Sequence, residues 1–159
     1  MSLNSPTERI FDQTTELKVA IIAARYNTEI VDSLLDNTVQ ALKSAGLENI
    51  KIERVPGSAE LPMAAALIQK NCSPDAVIVL GVVIAGDTEH HNVIASTTAN
   101  ALTQVSINSD TPIINGILVT NTKQEAQDRS SKVINRGEEF AHAAIEMAQL
   151  KQKWTQKKA

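Results

Sequence analysis

Two adjacent histidines, His90 and His91, are the residues of this chain whose types most plainly suit chemistry. They follow the apolar run VIVLGVVIAG, and Asp87, Thr88 and Glu89 directly precede them. His90 is expected at the start of a helix, where the positive end of the helix dipole favours a neutral imidazole. Such a ring takes up and returns a proton near neutral pH, which suits a general acid–base. From the local pattern alone, an ordinary polar helix start explains His90 equally well.

The same segment is a poor metal site and a better anion site. Neighbouring residues on a helix do not face one point, and no spacing around Asp87 and Glu89 resembles a zinc motif, so no metal is predicted. Two glycines within residues 81–88 precede the helix, and backbone N–H groups at such a start favour phosphate. Neither a G-x-G-x-x-G nor a G-K-[ST] phosphate motif occurs, so this prediction depends on the backbone alone.

Two further charged residues have ordinary explanations in the local pattern. Arg129 follows Glu125 by four residues, the spacing of a helical surface pair worth ~0.3–0.5 kcal/mol. Glu60 follows a Pro-Gly pair at a helix start, where negative charge is favourable. Cys72 is the single cysteine, so no disulfide forms within the chain and a reducing compartment is expected.

Four apolar strands alternating with helical patterns must position these groups. Strands are expected at 17–24, 50–55, 75–83 and 112–120, and helices at 28–45, after Ser58, at 90–107, after Thr122 and at 138–151. Ser58 is expected to cap its helix, and Thr122 to form a capping box with Glu125. The alternation indicates parallel strands joined by crossovers. The predicted fold class is α/β, a three-layer α/β/α sandwich with a four-stranded parallel, flavodoxin-like sheet.

Size and composition fit one domain. The chain has 159 residues, 43% of them hydrophobic, and a net charge of −3. We expect a single domain at 17–152, between a flexible segment 1–16 and a tail 153–159. The mild acidity disfavours a nucleic-acid partner. No apolar run approaches the ~18 residues of a membrane span and no signal peptide is evident, so a cytoplasmic protein is predicted.

The strand ends bring the chemical groups together. Ligands of open parallel sheets bind outside the carboxyl ends of the strands. In this chain those ends read ARYN, VPGSAE, GVVIAGDTEHH and LVTNT. A phenol ring, a carboxylate and imidazoles therefore converge on one rim, supplied by Tyr26, Asn27, Ser58, Glu60, Asp87, Thr88, His90 and His91.

Taken together, these motifs resemble the 6,7-dimethyl-8-ribityllumazine synthase family, the beta chain of riboflavin synthase. The resemblance runs from about Lys18 to Met147 through RYN, VPGSAELP, LGVVIAGDTEHH, PIINGILVT and QEAQDR…NRGEEFAHAAIEMA. It implies a transferase that condenses 5-amino-6-(D-ribitylamino)pyrimidine-2,4-dione with 3,4-dihydroxy-2-butanone 4-phosphate in the penultimate step of riboflavin biosynthesis. Phosphate and water leave during Schiff-base formation, elimination and ring closure, and the family needs no cofactor.

The resemblance also implies a role for each matching residue. His90 matches the catalytic histidine, Tyr26 the ring that stacks on the pyrimidine, and Arg129 the phosphate ligand, assisted by the backbone of Asp87 and Thr88. Ser58, Ala59 and Glu60 match the segment that binds the ribityl chain, and Val82, Val83 and Ile84 match the segment whose backbone contacts the pyrimidine. Asn27 and Asn115 are two further substrate-binding positions.

Family sites lie between subunits of a pentamer, so Asn115 and Arg129 would come from the adjacent chain. The implied partners are the two small-molecule substrates, further copies in a homopentamer or a larger icosahedral assembly, and riboflavin synthase. Four departures bear on affinity and assembly. Asn115 stands where Phe is usual, Ala85 where Arg is common and His91 where an aromatic is common, and one residue is missing between Arg129 and Asn135.

Three other functions stay open at this point. A divergent relative could hold a flavin or lumazine without efficient turnover, and Asn115 and Ala85 favour it slightly. A shell-forming relative is the second alternative. A flavodoxin-like nucleotide binder is the third, and it is disfavoured because the segment after the first strand lacks the richness in Ser and Thr of a phosphate-binding loop.

Overall fold

The computed structural model describes residues 11, 12 and 14–155 and confirms the predicted α/β fold. Its elements, in chain order, are β1 (Lys18–Ala24), α1 (Thr28–Ser44), β2 (Asn49–Val55), a 3₁₀ turn (Ser58–Glu60), α2 (Leu61–Cys72), β3 (Ala76–Ile84), α3 (His90–Ser109), β4 (Ile113–Thr120), α4 (Lys123–Ser130) and α5 (Arg136–Thr155). Each predicted strand and helix is present.

All four strands are parallel, in the order β2-β1-β3-β4. β3 is central and its residues 76–80 are fully buried, as its β-branched sequence predicts. β1 and β2 end together, with Ala24 opposite Val55, and β3 and β4 end together, with Ile84 opposite Thr120. Because Ala23 lies opposite Leu80, β3 and β4 extend beyond β1 and β2 at this edge of the sheet. The chain order reverses between β1 and β3, which makes the rim above these two strands the expected ligand position of the fold.

Helices cover both faces of the sheet, as predicted, but unequally. α1, α4 and α5 enclose the larger core on one face, and α2 and α3 a smaller core on the other. Small residues allow α1 and α5 to approach closely. A Cβ atom at Gly137 would lie 2.8 Å from the Leu34 carbonyl oxygen and 2.9 Å from the Thr38 nitrogen. A side chain at position 137 would therefore force these helices apart.

Two local predictions from the sequence, the Thr122–Glu125 capping box and the Ser58 cap, are only partly met or wrong: of the capping box, only the Thr122 bond forms, because the Glu125 carboxylate accepts from Asn121 and not from Thr122. Thr122 caps α4 by accepting from the Glu125 nitrogen at 3.1 Å, and the Glu125 carboxylate accepts from the Asn121 nitrogen at 2.9 Å. The prediction that Ser58 caps a helix is wrong, because no side-chain cap forms there and the hydroxyl is buried instead. The last helix is also longer than predicted and continues to Thr155.

The proposed domain boundaries remain a prediction. The segment 1–16 and the tail 153–159 lie largely outside the described residues, apart from positions 11, 12, 14–16 and 153–155. Among the described residues, no helix is both long and apolar enough to span a membrane.

Candidate active site

The segment after β1 is bonded to the segment after β2. The Arg25 nitrogen donates to the carbonyls of Val55 at 2.9 Å and Pro56 at 3.1 Å, and the Tyr26 nitrogen donates to Pro56 at 3.2 Å. The Tyr26 side chain is 73% exposed and its ring lies over Gly57, where a Cβ atom would come within 3.1 Å of Cδ2. Gly57 thus leaves room for the ring, whose open face can stack on a planar ligand.

Asn27 joins β1 to β3 across the point where the strand order reverses. Its backbone is left-handed, with φ 58° and ψ 44°, a conformation that Asn tolerates better than most residues. Its Nδ2 donates to the Val82 carbonyl at 3.1 Å. The Asn27 amide nitrogen is therefore engaged by the protein, while Oδ1 has no partner among the residues described.

The 3₁₀ turn after β2 presents one carboxylate at the rim. Glu60 Oε2 accepts from the Gly57 nitrogen at 2.8 Å, which fixes the side chain. Ala59 and Glu60 are exposed, whereas Ser58 is buried against β3. A Cβ atom at Gly81 would lie 2.5 Å from Ser58 Oγ, so Gly81 makes this packing possible. The second Glu60 oxygen is left to accept from a ligand hydroxyl.

The segment between β3 and α3 offers unbonded backbone donors. The Ala85 nitrogen donates to the Thr120 carbonyl at 2.9 Å and so continues the β3–β4 pairing. The next six N–H groups, at positions 86–91, have no acceptor in the part of the chain that the structure describes. They lie at the positive end of a 20-residue helix. This combination is suited to an anion such as phosphate.

The two histidines have different surroundings at the start of α3. His90 is exposed and has no hydrogen-bond partner within the described residues. His91 is half-buried, and its Nδ1 lies 2.8 Å from the Thr88 carbonyl oxygen. His90 is therefore free to exchange protons with a ligand at the rim, whereas His91 is engaged locally. The described residues include no group of three or more His, Cys, Asp or Glu that could hold a metal ion.

Asn115 and Arg129 lie away from this rim. Asn115 is opposite Val79, five residues and about 16 Å before the end of β4. Its Oδ1 accepts from the Ile117 nitrogen at 3.1 Å. Arg129 belongs to α4, which packs with α1 on the face opposite α3, and its Nη1 donates to the Glu125 carbonyl at 3.0 Å. Among the described residues, neither the Asn115 nor the Arg129 side chain is hydrogen-bonded to a residue of the rim.

The rim is open, and three cavities lined by described residues lie elsewhere. A cavity of about 490 Å³ lies between α1 and α5. A second, of about 340 Å³, lies at the start of β1 and β2, and a third, of about 510 Å³, lies between the ends of α3 and α5. None of them includes a predicted site residue. Tyr26, Glu60 and His90 are all exposed, so the rim is open to solvent in the single chain.

Two glycines that shape the rim, Gly57 and Gly81, were not among the residues predicted for the site. Gly57 accommodates the Tyr26 ring and Gly81 accommodates Ser58. The available signal was a glycine interrupting the β-branched run of a central strand, which commonly marks a close approach of another group.

Comparisons with known proteins show the family to which the chain belongs. The family model for 6,7-dimethyl-8-ribityllumazine synthase matches residues 16–152. A protein named 6,7-dimethyl-8-ribityllumazine synthase from Arthrobacter sp. is 42% identical over 136 residues, which cover 86% of this chain and 83% of the relative. A protein of the same name from Prochlorococcus marinus is 40% identical over 149 residues, which cover 90% of this chain and 94% of the relative. One from Leuconostoc mesenteroides is 38% identical over 142 residues (87% and 90%). The chain therefore belongs to the 6,7-dimethyl-8-ribityllumazine synthase family.

Proposed function

We propose that this chain condenses 5-amino-6-(D-ribitylamino)pyrimidine-2,4-dione with 3,4-dihydroxy-2-butanone 4-phosphate to give 6,7-dimethyl-8-ribityllumazine. The observation that carries this proposal is the rim itself. His90, whose side chain has no partner among the described residues, lies beside six backbone N–H groups without acceptors. The exposed Tyr26 ring and the Glu60 carboxylate lie on the other side of the point where the strand order reverses. A reaction that expels phosphate and moves several protons needs this combination of a proton carrier and an anion cradle.

Each wall of the rim has a distinct role in the proposal. Tyr26 stacks on the pyrimidine, and the backbone of residues 82–84 bonds to its edge. The turn 58–60 binds the ribityl chain, with the free Glu60 oxygen accepting from a hydroxyl. The Oδ1 of Asn27 faces the same ligand. The N–H groups around Asp87 and Thr88 bind the phosphate, and His90 transfers protons during imine formation and elimination.

In this proposal a neighbouring copy of the chain completes the site by contributing its Asn115 and Arg129. The copies are arranged in a homopentamer or a larger pentamer-based assembly. Two features support it. The rim is open in the single chain, and the α2–α3 layer exposes large apolar side chains that a partner would cover: Met63, Leu67, Val93 and Ile107 are 64%, 49%, 53% and 66% exposed. Native mass spectrometry should therefore show pentamers or multiples of five, and a stable monomer would contradict the shared site.

The direct test of the activity is a turnover assay with both substrates, following lumazine absorbance against the uncatalysed background. The proposal predicts formation of lumazine well above background with no added metal. Absence of turnover by a correctly assembled protein would contradict it. If riboflavin or the pyrimidine still bound, that result would instead favour a binding or shell-forming relative.

A further inference from the structure

His91 interacts with the segment that carries the free donors. Its Nδ1 lies 2.8 Å from the Thr88 carbonyl oxygen, two residues before the first residue of α3. Because a carbonyl oxygen only accepts, this contact requires a proton on Nδ1. α3 has no side-chain cap at Glu89. The His91 ring is thus the group that fixes the Thr88–Glu89 peptide from the helix side.

Fixing this carbonyl also fixes the neighbouring donor. In a planar trans peptide, the C=O of Thr88 and the N–H of Glu89 point in opposite directions. With the carbonyl held towards the His91 ring, the Glu89 N–H points away from the first turn of α3. That N–H is one of the six without an acceptor among the residues described. His91 therefore orients a donor of the anion cradle without occupying the cradle itself.

Asn92 holds the neighbouring Glu89 residue against the first turn of α3. Asn92 Nδ2 donates to Glu89 Oε2 at 2.5 Å, and the Asn92 nitrogen donates to the Glu89 carbonyl at 3.1 Å. The Glu89 carboxylate is therefore bonded to the first turn of α3.

We infer that His91 is a positioning residue for the phosphate group of the substrate, acting through the Thr88–Glu89 peptide. The inference depends on the proposed function for the identity of the anion. It assigns different tasks to the adjacent histidines. His90 exchanges protons with the substrate, and His91 holds the backbone that receives the phosphate.

The test compares two substitutions that differ in one donor. His91→Phe keeps an aromatic ring and removes the Nδ1 proton, whereas His91→Asn keeps an N–H donor at the δ position. His142→Phe is the matched control, because that histidine lies on α5 against Phe11. The probe is inorganic phosphate, with its affinity measured by titration calorimetry on the assembled protein.

We expect the phosphate dissociation constant to rise about tenfold in His91→Phe, the effect of one hydrogen bond to a charged group. It should change by less than about threefold in His91→Asn and stay unchanged in His142→Phe. In turnover assays the phosphate substrate's KM should follow the same order, while the pyrimidine's KM stays constant. Equal affinities in His91→Phe and the parent chain, or equal losses in both His91 variants, would overturn the inference.

A further readout needs neither turnover nor a ligand, and so separates this inference from the proposed function. Long-range ¹⁵N NMR of the histidine rings should show a proton on Nδ1 of His91. An unprotonated Nδ1 would overturn the inference even in an active enzyme. An inactive protein that binds phosphate with the predicted order of variants would contradict the proposed function and uphold the role of His91. A parent chain that binds no phosphate would overturn both the cradle and the positioning role.

Discussion

The two halves of the rim are built differently. In the β1–β2 half, residues 25–27 and 56–60, the Arg25 and Tyr26 nitrogens donate to the segment at the end of β2, and the Gly57 nitrogen donates to Glu60 within its own turn. In the β3–α3 half, residues 85–91, Ala85 is the one described residue whose backbone nitrogen donates to another strand. Backbone N–H groups of the β1–β2 half donate to other protein atoms, whereas those at positions 86–91 of the β3–α3 half have no acceptor among the described residues.

This difference corresponds to the two kinds of ligand group in the proposed reaction. A planar heterocycle and a polyol are recognised by surfaces whose shape is fixed beforehand, because ordering them on binding would weaken affinity. A phosphate needs unsatisfied N–H groups, which the protein must not bond to itself. The comparison predicts that substitutions in the β3–α3 half alter chemistry and phosphate affinity, and those in the β1–β2 half alter stability and pyrimidine affinity.

The largest effect is expected from His90→Ala. Removing the proton carrier should lower kcat by roughly 10²–10⁴-fold, because no other imidazole at the rim is unpaired within the described residues. Pyrimidine affinity, measured by fluorescence titration, should stay within about twofold. His142→Ala serves as the control. Full turnover in His90→Ala would remove this residue from the mechanism.

The next effect concerns Arg129, whose side chain is bonded to the Glu125 carbonyl of its own helix. Arg129→Ala should raise the KM of the phosphate substrate by about 10–100-fold, the value of a charge-assisted hydrogen bond, and leave the pyrimidine's KM nearly constant. Lys151→Ala is a suitable control, since this lysine contacts Pro74 and Thr111 at the other end of the sheet. Equal changes in both KM values would indicate a structural role for Arg129.

Asn27 tests the β1–β2 half. Asn27→Gly removes the bond to the Val82 carbonyl but tolerates the left-handed backbone, and should lower the free energy of unfolding by about 0.5–1.5 kcal/mol. Asn27→Ala adds the strain of that backbone and should cost about 1–2 kcal/mol more. Urea unfolding measures both. If the two variants were equally stable, the left-handed conformation at position 27 would be in doubt.

The smallest effect is expected at Asn115. Asn115→Phe should tighten pyrimidine or riboflavin binding by roughly threefold to tenfold, because an aromatic wall adds stacking area. Asn115→Ala, which removes the amide without adding a ring, should not tighten binding. An unchanged affinity in Asn115→Phe would show that another group closes the pocket.

The strands, the helices and the position of the rim could be predicted from the sequence. The β-branched run of β3 and the alternation of strands with helices determine a parallel sheet, and its carboxyl edge then collects Tyr26, Glu60 and His90. These features follow from local pattern and from rules of connection, which do not depend on side-chain conformation.

The remaining features depend on tertiary contacts that no local pattern contains. Ser58 has the sequence of a helix cap, yet Gly81 leaves space on β3 that buries its hydroxyl. The bond from His91 to Thr88 depends on one side-chain rotamer. The importance of Arg129 came from family resemblance, because its spacing from Glu125 is that of an ordinary surface pair.

The central claim is that each active site is formed by residues from two adjacent subunits. The most direct test is complementation between two inactive variants. His90→Ala and Arg129→Ala are mixed in equal amounts, dissociated and reassembled, with mass-labelled subunits confirming mixed oligomers. If a site takes His90 from one chain and Arg129 from the next, random assembly in a ring should restore about a quarter of the parent turnover. Mixed oligomers that stay as inactive as the separate variants would show that both groups act within one chain, and would contradict the shared site.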